Sequence, residues 1–430
     1  MTADPQERPS ASPPVLALSG AAVEYRRHGQ RLRALDGVDL TVARGEIVGL
    51  VGESGCGKST LARAAAGLVP LAAGTAAFEG QPVTVLGRGR RPGRLGGLQM
   101  VFQDPYESLN PRRKVGDLIA DGVLLAGGSR SAARARSTEL LERVGLPASA
   151  AGGFPHEFSG GQRQRIAIAR TLAARPSCLI ADEPISALDA SAQAQVANLL
   201  TALVREENIG LLLVSHDLSV VRQVADRVAV MYLGRIVESG ATASVWSGPV
   251  HPYSEALVAA IPRADGSGVL PADLPGDVPD PASPPSGCRF HPRCPVARDD
   301  CQVTEQRLVT VSDRAGPDRE GAGPDGAARE VACHVRAPLG VTALCGSSTR
   351  TWSTCWPARY CPRAPSRSAL TWTARAAASP RSAPAPRPGC RTARSPTSRA
   401  AGCCPASSPA TRTCRWCSRS PTPTRRKTRR

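Results

Sequence analysis

The sequence predicts an α/β fold built on a parallel sheet, and three apolar runs carry the prediction. Apart from Glu46, Gly45–Val51, Cys178–Ala181 and Gly210–Ser215 are continuously apolar or small rather than alternating, the pattern of strands buried on both faces. Each run ends in polar residues at what would be its carboxyl end, where open α/β sheets gather their ligands. The 430 residues leave room for two or three domains. No stretch approaches the roughly 18 uninterrupted apolar residues of a membrane-spanning helix, and Met1–Pro14 is polar and Pro-rich rather than a signal peptide. The chain is therefore expected to be soluble and unexported, with residues 1–14 disordered.

Composition divides the chain near residue 337. Residues 1–336 hold 36 Lys and Arg against 36 Asp and Glu, so this body is neutral. The last 94 residues hold 17 Arg, Lys427 and no acid, so the whole formal charge of +18 belongs to them. The tail also contains eight of the 14 Cys and four of the five Trp, yet it shows no apolar period that could build a core. A nucleic-acid role argued from overall basicity would rest on this segment alone, and none is expected of the body.

The first run leads into Gly52-Glu53-Ser54-Gly55-Cys56-Gly57-Lys58-Ser59-Thr60, a complete Walker A phosphate loop between strand and helix. Its glycines let the backbone curl so that successive N–H groups face an anion. Lys58 is placed to reach the terminal phosphates of a nucleotide, and Ser59 to ligate Mg2+. The second run ends in Asp182-Glu183-Pro184. Asp182 would hold the magnesium directly or through water, and Glu183 would act as general base on the attacking water. The third run delivers His216 to the same sheet edge.

Between these elements, Ser159-Gly160-Gly161-Gln162 opens an amphipathic stretch through Ile166, Ile168, Ala169 and Leu172. A helix start of this composition is a second anion-binding device, because unpaired N–H groups and the helix dipole both favour negative charge. With two such starts in one chain, the sequence resembles the ATP-binding cassette (ABC) family from about Val15 to Arg336. The resemblance implies a P-loop NTPase (RecA-like) core with an antiparallel β subdomain and an α-helical signature subdomain. It also implies a head-to-tail dimer, in which the signature of one subunit closes on the phosphate loop of the other.

On the same analogy Gln103 is the Q-loop glutamine, placed to sense magnesium and water. Asp189 matches the D-loop and His216 the switch histidine. Tyr25 stands where the family stacks an aromatic on adenine, with an ordinary edge-strand tyrosine as the alternative. Phe158 replaces the usual leucine before the signature, in a packing role that leaves activity intact.

Asp104–Arg112, Pro155–Phe158 and His251-Pro252-Tyr253 narrow the resemblance to the ATPases of oligopeptide, dipeptide and nickel importers. That subfamily implies two transmembrane permease subunits, a second ATPase subunit forming a homo- or heterodimer, and an extracytoplasmic solute-binding protein acting indirectly. It also implies a peripheral position on the cytoplasmic face of the membrane. The domains expected are a cassette over 15–250 and a small C-terminal extension over 251–336. The extension contains Cys288, Cys294, Cys301 and Cys333, whose spacing does not fit a zinc finger. Some members of the subfamily carry an iron–sulfur cluster there, so a 4Fe-4S cluster is expected, with zinc or free thiols as alternatives. The rival to the importer reading is a soluble cassette ATPase in DNA repair or translation, suggested by the tail and against the neutral body.

The tail itself has the composition of GC-rich coding read in a wrong frame, since only three Lys accompany 51 Arg in the chain. Regrouping the codons of Ala376–Ser382 by one base permits Gly-Cys-Gly-Lys-Ser-Thr-Leu. The same shift over Cys414–Thr422 permits Leu-Gln-Met-Val-Phe-Gln-Glu-Pro-Tyr, which differs from Leu98–Tyr106 only at Asp104. The lysine and glutamine of these echoes lie 40 residues apart, against 45 between Lys58 and Gln103. One position departs, because Thr373 cannot regroup to the first loop glycine. A frameshifted remnant of a second cassette is the hypothesis that accounts for residues 337–430, against a genuine disordered basic tail. Intact mass and peptide mapping of the native gene product test it. The hypothesis predicts acidic, in-frame peptides beyond Pro338 and a larger product, whereas a 44.8 kDa chain with Arg-rich tail peptides would make the tail real.

Overall fold

The computed structural model describes residues 13–27, 30–87, 92–104, 108–186, 188–261, 274–312 and 328–337. The expectations for the first twelve residues, for Pro105–Glu107 and for 338–430 lie outside the described residues.

Strands β1 (Leu16–Arg27) and β2 (Gln30–Val42) form an antiparallel hairpin. Next come β3 (Ile47–Val51), α1 (Lys58–Ala65), β4 (Ala73–Phe78), β5 (Gln81–Pro82) and β6 (Leu98–Val101). Helices α2 (Val115–Leu125), α3 (Arg130–Arg143) and α4 (Gly160–Leu172) follow, then β7 (Cys178–Asp182), α5 (Ala190–Glu206), β8 (Gly210–Val214) and α6 (Leu218–Val224). The chain continues with β9 (Arg227–Tyr232), β10 (Arg235–Ala241), α7 (Thr242–Ser247), α8 (Pro252–Ala259), β11 (Val309–Ser312) and β12 (Ala328–Val331).

Two sheets result. One is antiparallel in the order β2-β1-β4-β5; the other is eight-stranded in the order β11-β12-β10-β9-β3-β8-β7-β6. Strands β9, β3, β8, β7 and β6 run parallel, and the pairings β9–β10, β10–β12 and β12–β11 are antiparallel. The three apolar runs are thus neighbouring strands of the parallel portion.

Their continuous apolarity has a direct structural cause. Ile47, Val51, Leu179, Ala181, Leu211 and Leu213 point into a core shared with Leu118, Ile119, Leu140, Leu141 and Ile166 of α2, α3 and α4. Val48, Leu50, Ile180, Leu212 and Val214 point the other way, into a core completed by Leu16, Leu18, Leu35 and Leu61. Successive side chains leave a strand on opposite faces, so a strand between two cores must be apolar at every position.

The C-terminal extension continues the main sheet, with Glu238 opposite Val331 and Ser239 opposite Glu330 in the β10–β12 pairing. His251 caps α8: its Nδ1 accepts the Tyr253 backbone N–H at 3.1 Å, and Pro252 takes the first helical position, where no N–H is needed. The fully buried Glu238 accepts the N–H groups of Val250 and His251 at 3.0 and 2.9 Å, which fixes the corner before the helix. Beyond it Tyr232, Tyr253 and Phe290 pack with ring centroids 4.6 to 5.3 Å apart, joining β9, α8 and the cysteine segment in one aromatic cluster.

Burial pushes the His251 imidazole from its ordinary value of 6.5 down to about 3, with the charge of Arg336 adding to the effect. The folded chain therefore keeps this ring neutral while the unfolded chain protonates it, and stability falls as pH drops from 6.5 toward 3. His251→Asn retains a cap acceptor and removes the titration. Between pH 7 and pH 5 the variant is expected to lose about 2 kcal/mol less unfolding free energy than the parent in urea titrations; equal losses would contradict the assignment.

Candidate nucleotide-binding site

The phosphate loop joins β3 to α1, and its shape depends on two glycines. Gly52 has φ +152° and Gly57 φ +112°. A Cβ on Gly52 would lie 2.2 Å from the Met231 carbonyl oxygen, and one on Gly57 2.6 Å from that of Ala34. Ser54 and Gly55 form the exposed crest of the loop, and Thr60 lies in the first turn of α1. Lys58 is 5% exposed, with its ammonium donating to the carbonyls of Gly52 and Glu53 at 2.7 and 2.9 Å. Cys56 points inward, and burial raises its thiol above the ordinary range.

Three neighbouring strands bring the remaining polar groups to this edge. Ser59 Oγ donates to Asp182 Oδ1 at 2.9 Å. Asp182 is buried at the end of β7, and that burial raises its carboxyl pKa while the Ser59 hydrogen bond opposes the rise. Glu183 adopts φ +46°, a left-handed conformation uncommon for a residue with a side chain and found at functional sites. Its N–H donates to Val214 O at 3.0 Å, holding the turn against β8. Its Oε2 accepts from Gln103 Nε2 at 3.1 Å and lies 3.2 Å from His216 Nδ1. Gln103, Asp182, Glu183 and His216 thus converge on one side of the loop from the ends of β6, β7 and β8.

The other predicted residues stand elsewhere. Ser159 caps α4 in a reciprocal box: its Oγ accepts the Gln162 N–H at 3.3 Å, and Gln162 Oε1 accepts the Ser159 N–H at 2.9 Å. Gly160 and Gly161 open the helix, where an added Cβ would meet Leu188 and Ala192 only at ordinary contact distance. Ser159–Gln162 share no hydrogen bond with the phosphate loop among the described residues. Phe158 is partly buried and packs on the helical core, as its packing role requires. Asp189 caps α5 by accepting the Ala192 N–H at 2.9 Å. Tyr25 lies on β1 opposite Leu32, 38% exposed.

Sequence reasoning missed the groups that hold Glu53. Tyr253 Oη accepts the Glu53 backbone N–H at 2.8 Å, and the Arg293 guanidinium forks onto its carboxylate at 2.7 and 3.0 Å. These partners lie 200 and 240 positions away in the chain, so no local pattern could announce them. The only linear signal was that Tyr253 and Arg293 belong to the two conspicuous motifs of the extension.

Cys288, Cys294, Cys301 and Cys333 are unpaired thiols lining one small cavity beneath His251 and Pro252. Burial pushes the Cys288 thiol up to about 11, with the neighbouring cysteines adding to the rise. Four cysteines along one cavity supply the donor type that an iron–sulfur cluster takes, and its metal when bound would deprotonate them. A second donor set overlaps it. Oxygen, sulfur and nitrogen atoms of Asp300, Cys301 and His334 lie within 4.8 Å of one another, with Gln306 Oε1 2.8 Å from His334 Nδ1.

The family model described as ABC transporter matches residues 35–186, and that of the oligopeptide/dipeptide transporter C-terminal region matches 237–301. A probable peptide ABC transporter ATP-binding protein of Sinorhizobium fredii is 47% identical over 319 residues, 74% of this chain and 86% of that protein. A putative peptide import ATP-binding protein of Brucella ovis is 44% identical over 300 residues, 69% of this chain and 95% of that protein. A dimeric ATP-binding cassette solved in a post-hydrolysis state with ADP and Pi is 27% identical, covering 53% of this chain and 98% of that one at a TM-score of 0.48. The chain belongs to the ABC transporter family, as one of its ATP-hydrolysing cassette proteins.

Proposed function

We propose that this protein is the ATP-hydrolysing subunit of an importer for di- or oligopeptides or related solutes, nickel included. It would work at the cytoplasmic face of the membrane, bound to two permease subunits and a second ATPase subunit, with a solute-binding protein delivering cargo. The match of residues 237–301 to the peptide-transporter C-terminal region carries the transport reading, and the printed names of the relatives support it. The rival reading, a cassette ATPase of DNA repair or translation, rests on the tail alone and draws no support from those relatives.

The chemistry follows from the convergence around Glu183. ATP phosphates would take the place of the Gly52 and Glu53 carbonyls as partners of Lys58 and of the loop N–H groups. Ser59 and Asp182, already in contact through oxygen, are the pair that would hold Mg2+, which when bound neutralises phosphate charge. Glu183 would accept a proton from the attacking water, with Gln103 and His216 orienting its carboxylate. A second subunit would supply Ser159–Gln162 to close the phosphates and Asp189 to join the two sites, and Tyr25 would stack on the base.

Glu183→Gln removes the base and keeps the hydrogen-bonding shape. It is expected to lower steady-state ATPase by about 100-fold or more and to accumulate ATP-bound dimers in size-exclusion chromatography. Turnover at the parental rate would contradict the role. In the extension, we propose that Cys288, Cys294, Cys301 and Cys333 hold an iron–sulfur cluster, on the strength of their shared cavity. Anaerobically purified protein is expected to contain about four iron and four sulfide per chain; zinc in their place, or neither element, would remove the assignment.

A further inference from the structure

We infer that Arg293 is a positioning residue for ATP binding, which neutralises Glu53 inside the phosphate loop and so makes the loop acceptable to a polyanion. The inference rests on the ATP reading of the loop and concerns a residue outside both the Walker motifs and the signature.

Glu53 is an anomaly by charge. It is the second residue of a loop whose backbone is shaped to receive anions, and an uncompensated carboxylate there would oppose every phosphate that approaches. Among the described residues Arg293, which is 7% exposed, compensates it through a bidentate pair at 2.7 and 3.0 Å. Arg293 makes further contacts. Its Nε donates to the Pro275 carbonyl at 2.6 Å, one terminal nitrogen also reaches Tyr232 Oη at 3.3 Å, and its fork lies 5.8 Å from the centroids of Tyr232 and Phe290. A lysine could not make this set of contacts, because it lacks the planar fork.

The segment bearing Arg293 grips the loop a second way. Arg289 donates to the Leu233 carbonyl and to Asp36. The next residue, Gly234, donates its N–H to the Cys56 carbonyl of the phosphate loop at 2.7 Å. Tyr253 Oη meanwhile occupies the Glu53 N–H at 2.8 Å. The extension therefore fixes the loop at Glu53 and, through the β9–β10 turn, at Cys56. Only the Arg293 contact changes the charge that ATP meets.

The test is isothermal titration of ATP, ADP and AMP into the full-length chain and its variants, together with ATPase kinetics. Arg293→Ala is expected to weaken ATP binding about tenfold or more, ADP less and AMP least, with KM rising while kcat at saturation changes by less than about threefold. Adding Glu53→Gln to Arg293→Ala is expected to restore most of the lost ATP affinity, because the uncompensated charge is then gone. A purely structural role predicts the reverse: the double variant as weak as the single one or weaker, and equal losses for all three nucleotides. Either result would overturn the inference. If Arg293→Ala does not fold, Arg293→Lys with and without Glu53→Gln gives the same comparison on a charge-retaining background. There the lysine alone is expected to preserve the order ATP, ADP, AMP at a smaller loss, and uniform losses would again overturn it. Parental protein that binds no ATP would overturn the nucleotide reading itself, whereas parental binding matched by every variant would overturn only the role of Arg293.

Discussion

The whole site depends on how closely the phosphate loop is pressed between neighbouring backbones. With the Met231 carbonyl against Gly52 and the Ala34 carbonyl against Gly57, the loop has no room for a side chain at either position. Each contact comes from a different part of the fold, since Met231 lies on β9 of the main sheet and Ala34 on β2 of the antiparallel sheet. The two sheets therefore meet at the loop as well as through the core that they share. A change in their packing would be felt first as a change in the curvature that turns N–H groups toward an anion.

The two adjacent carboxylates show how one strand end divides its labour. Asp182 is the last residue of β7, buried, and tied to Ser59. Glu183 follows in a left-handed conformation that swings its side chain away from the strand direction and toward Gln103 and His216. The turn makes the two consecutive acids face different neighbours, which under the proposed mechanism would separate metal holding from water activation within one dipeptide. Backbone strain of this kind, of order 1–3 kcal/mol, persists only where surrounding contacts hold it; here the Glu183 N–H bonded to Val214 is one of them.

Much of this was legible in the linear chain because its determinants are local. Continuous apolarity in Ile47–Val51 follows from burial on both faces, and the loop glycines follow from positive φ and tight approach. Asp182 and His216 were found because strand ends of a parallel sheet share one edge, so sequence position near a strand end translates into spatial position, whereas Gln103 came from the family resemblance alone. The parts that were not legible are those made by long-range pairing. Sequence treats the cassette and its extension as consecutive segments; the structure adds β12 to β10 and sends Arg293 back 240 residues to Glu53. The composition of the cysteine segment drew attention to its thiols, whereas two of its arginines, Arg289 and Arg293, bear on the phosphate loop. His334 and Asp300 were likewise hidden, because only folding places them beside Cys301.

The signature at Ser159–Gln162 illustrates why a motif and its local explanation must be kept apart. The reciprocal cap satisfies the N–H groups of Ser159 and Gln162, and that alone would account for a serine and a glutamine at this spacing. It does not account for the glycines. At Gly160 and Gly161 an alanine would fit, since the nearest atoms lie 3.7 Å from an added Cβ and neither position has a φ in the left-handed range. Alanine is also the better helix former, by up to about 1 kcal/mol in a helix interior and by less at these first two positions. Two consecutive glycines at a helix start therefore cost stability without a visible intrachain return. What bare backbone provides there is close approach for something that this chain does not itself bring to the spot, as a nucleotide held on the phosphate loop of a second cassette would require.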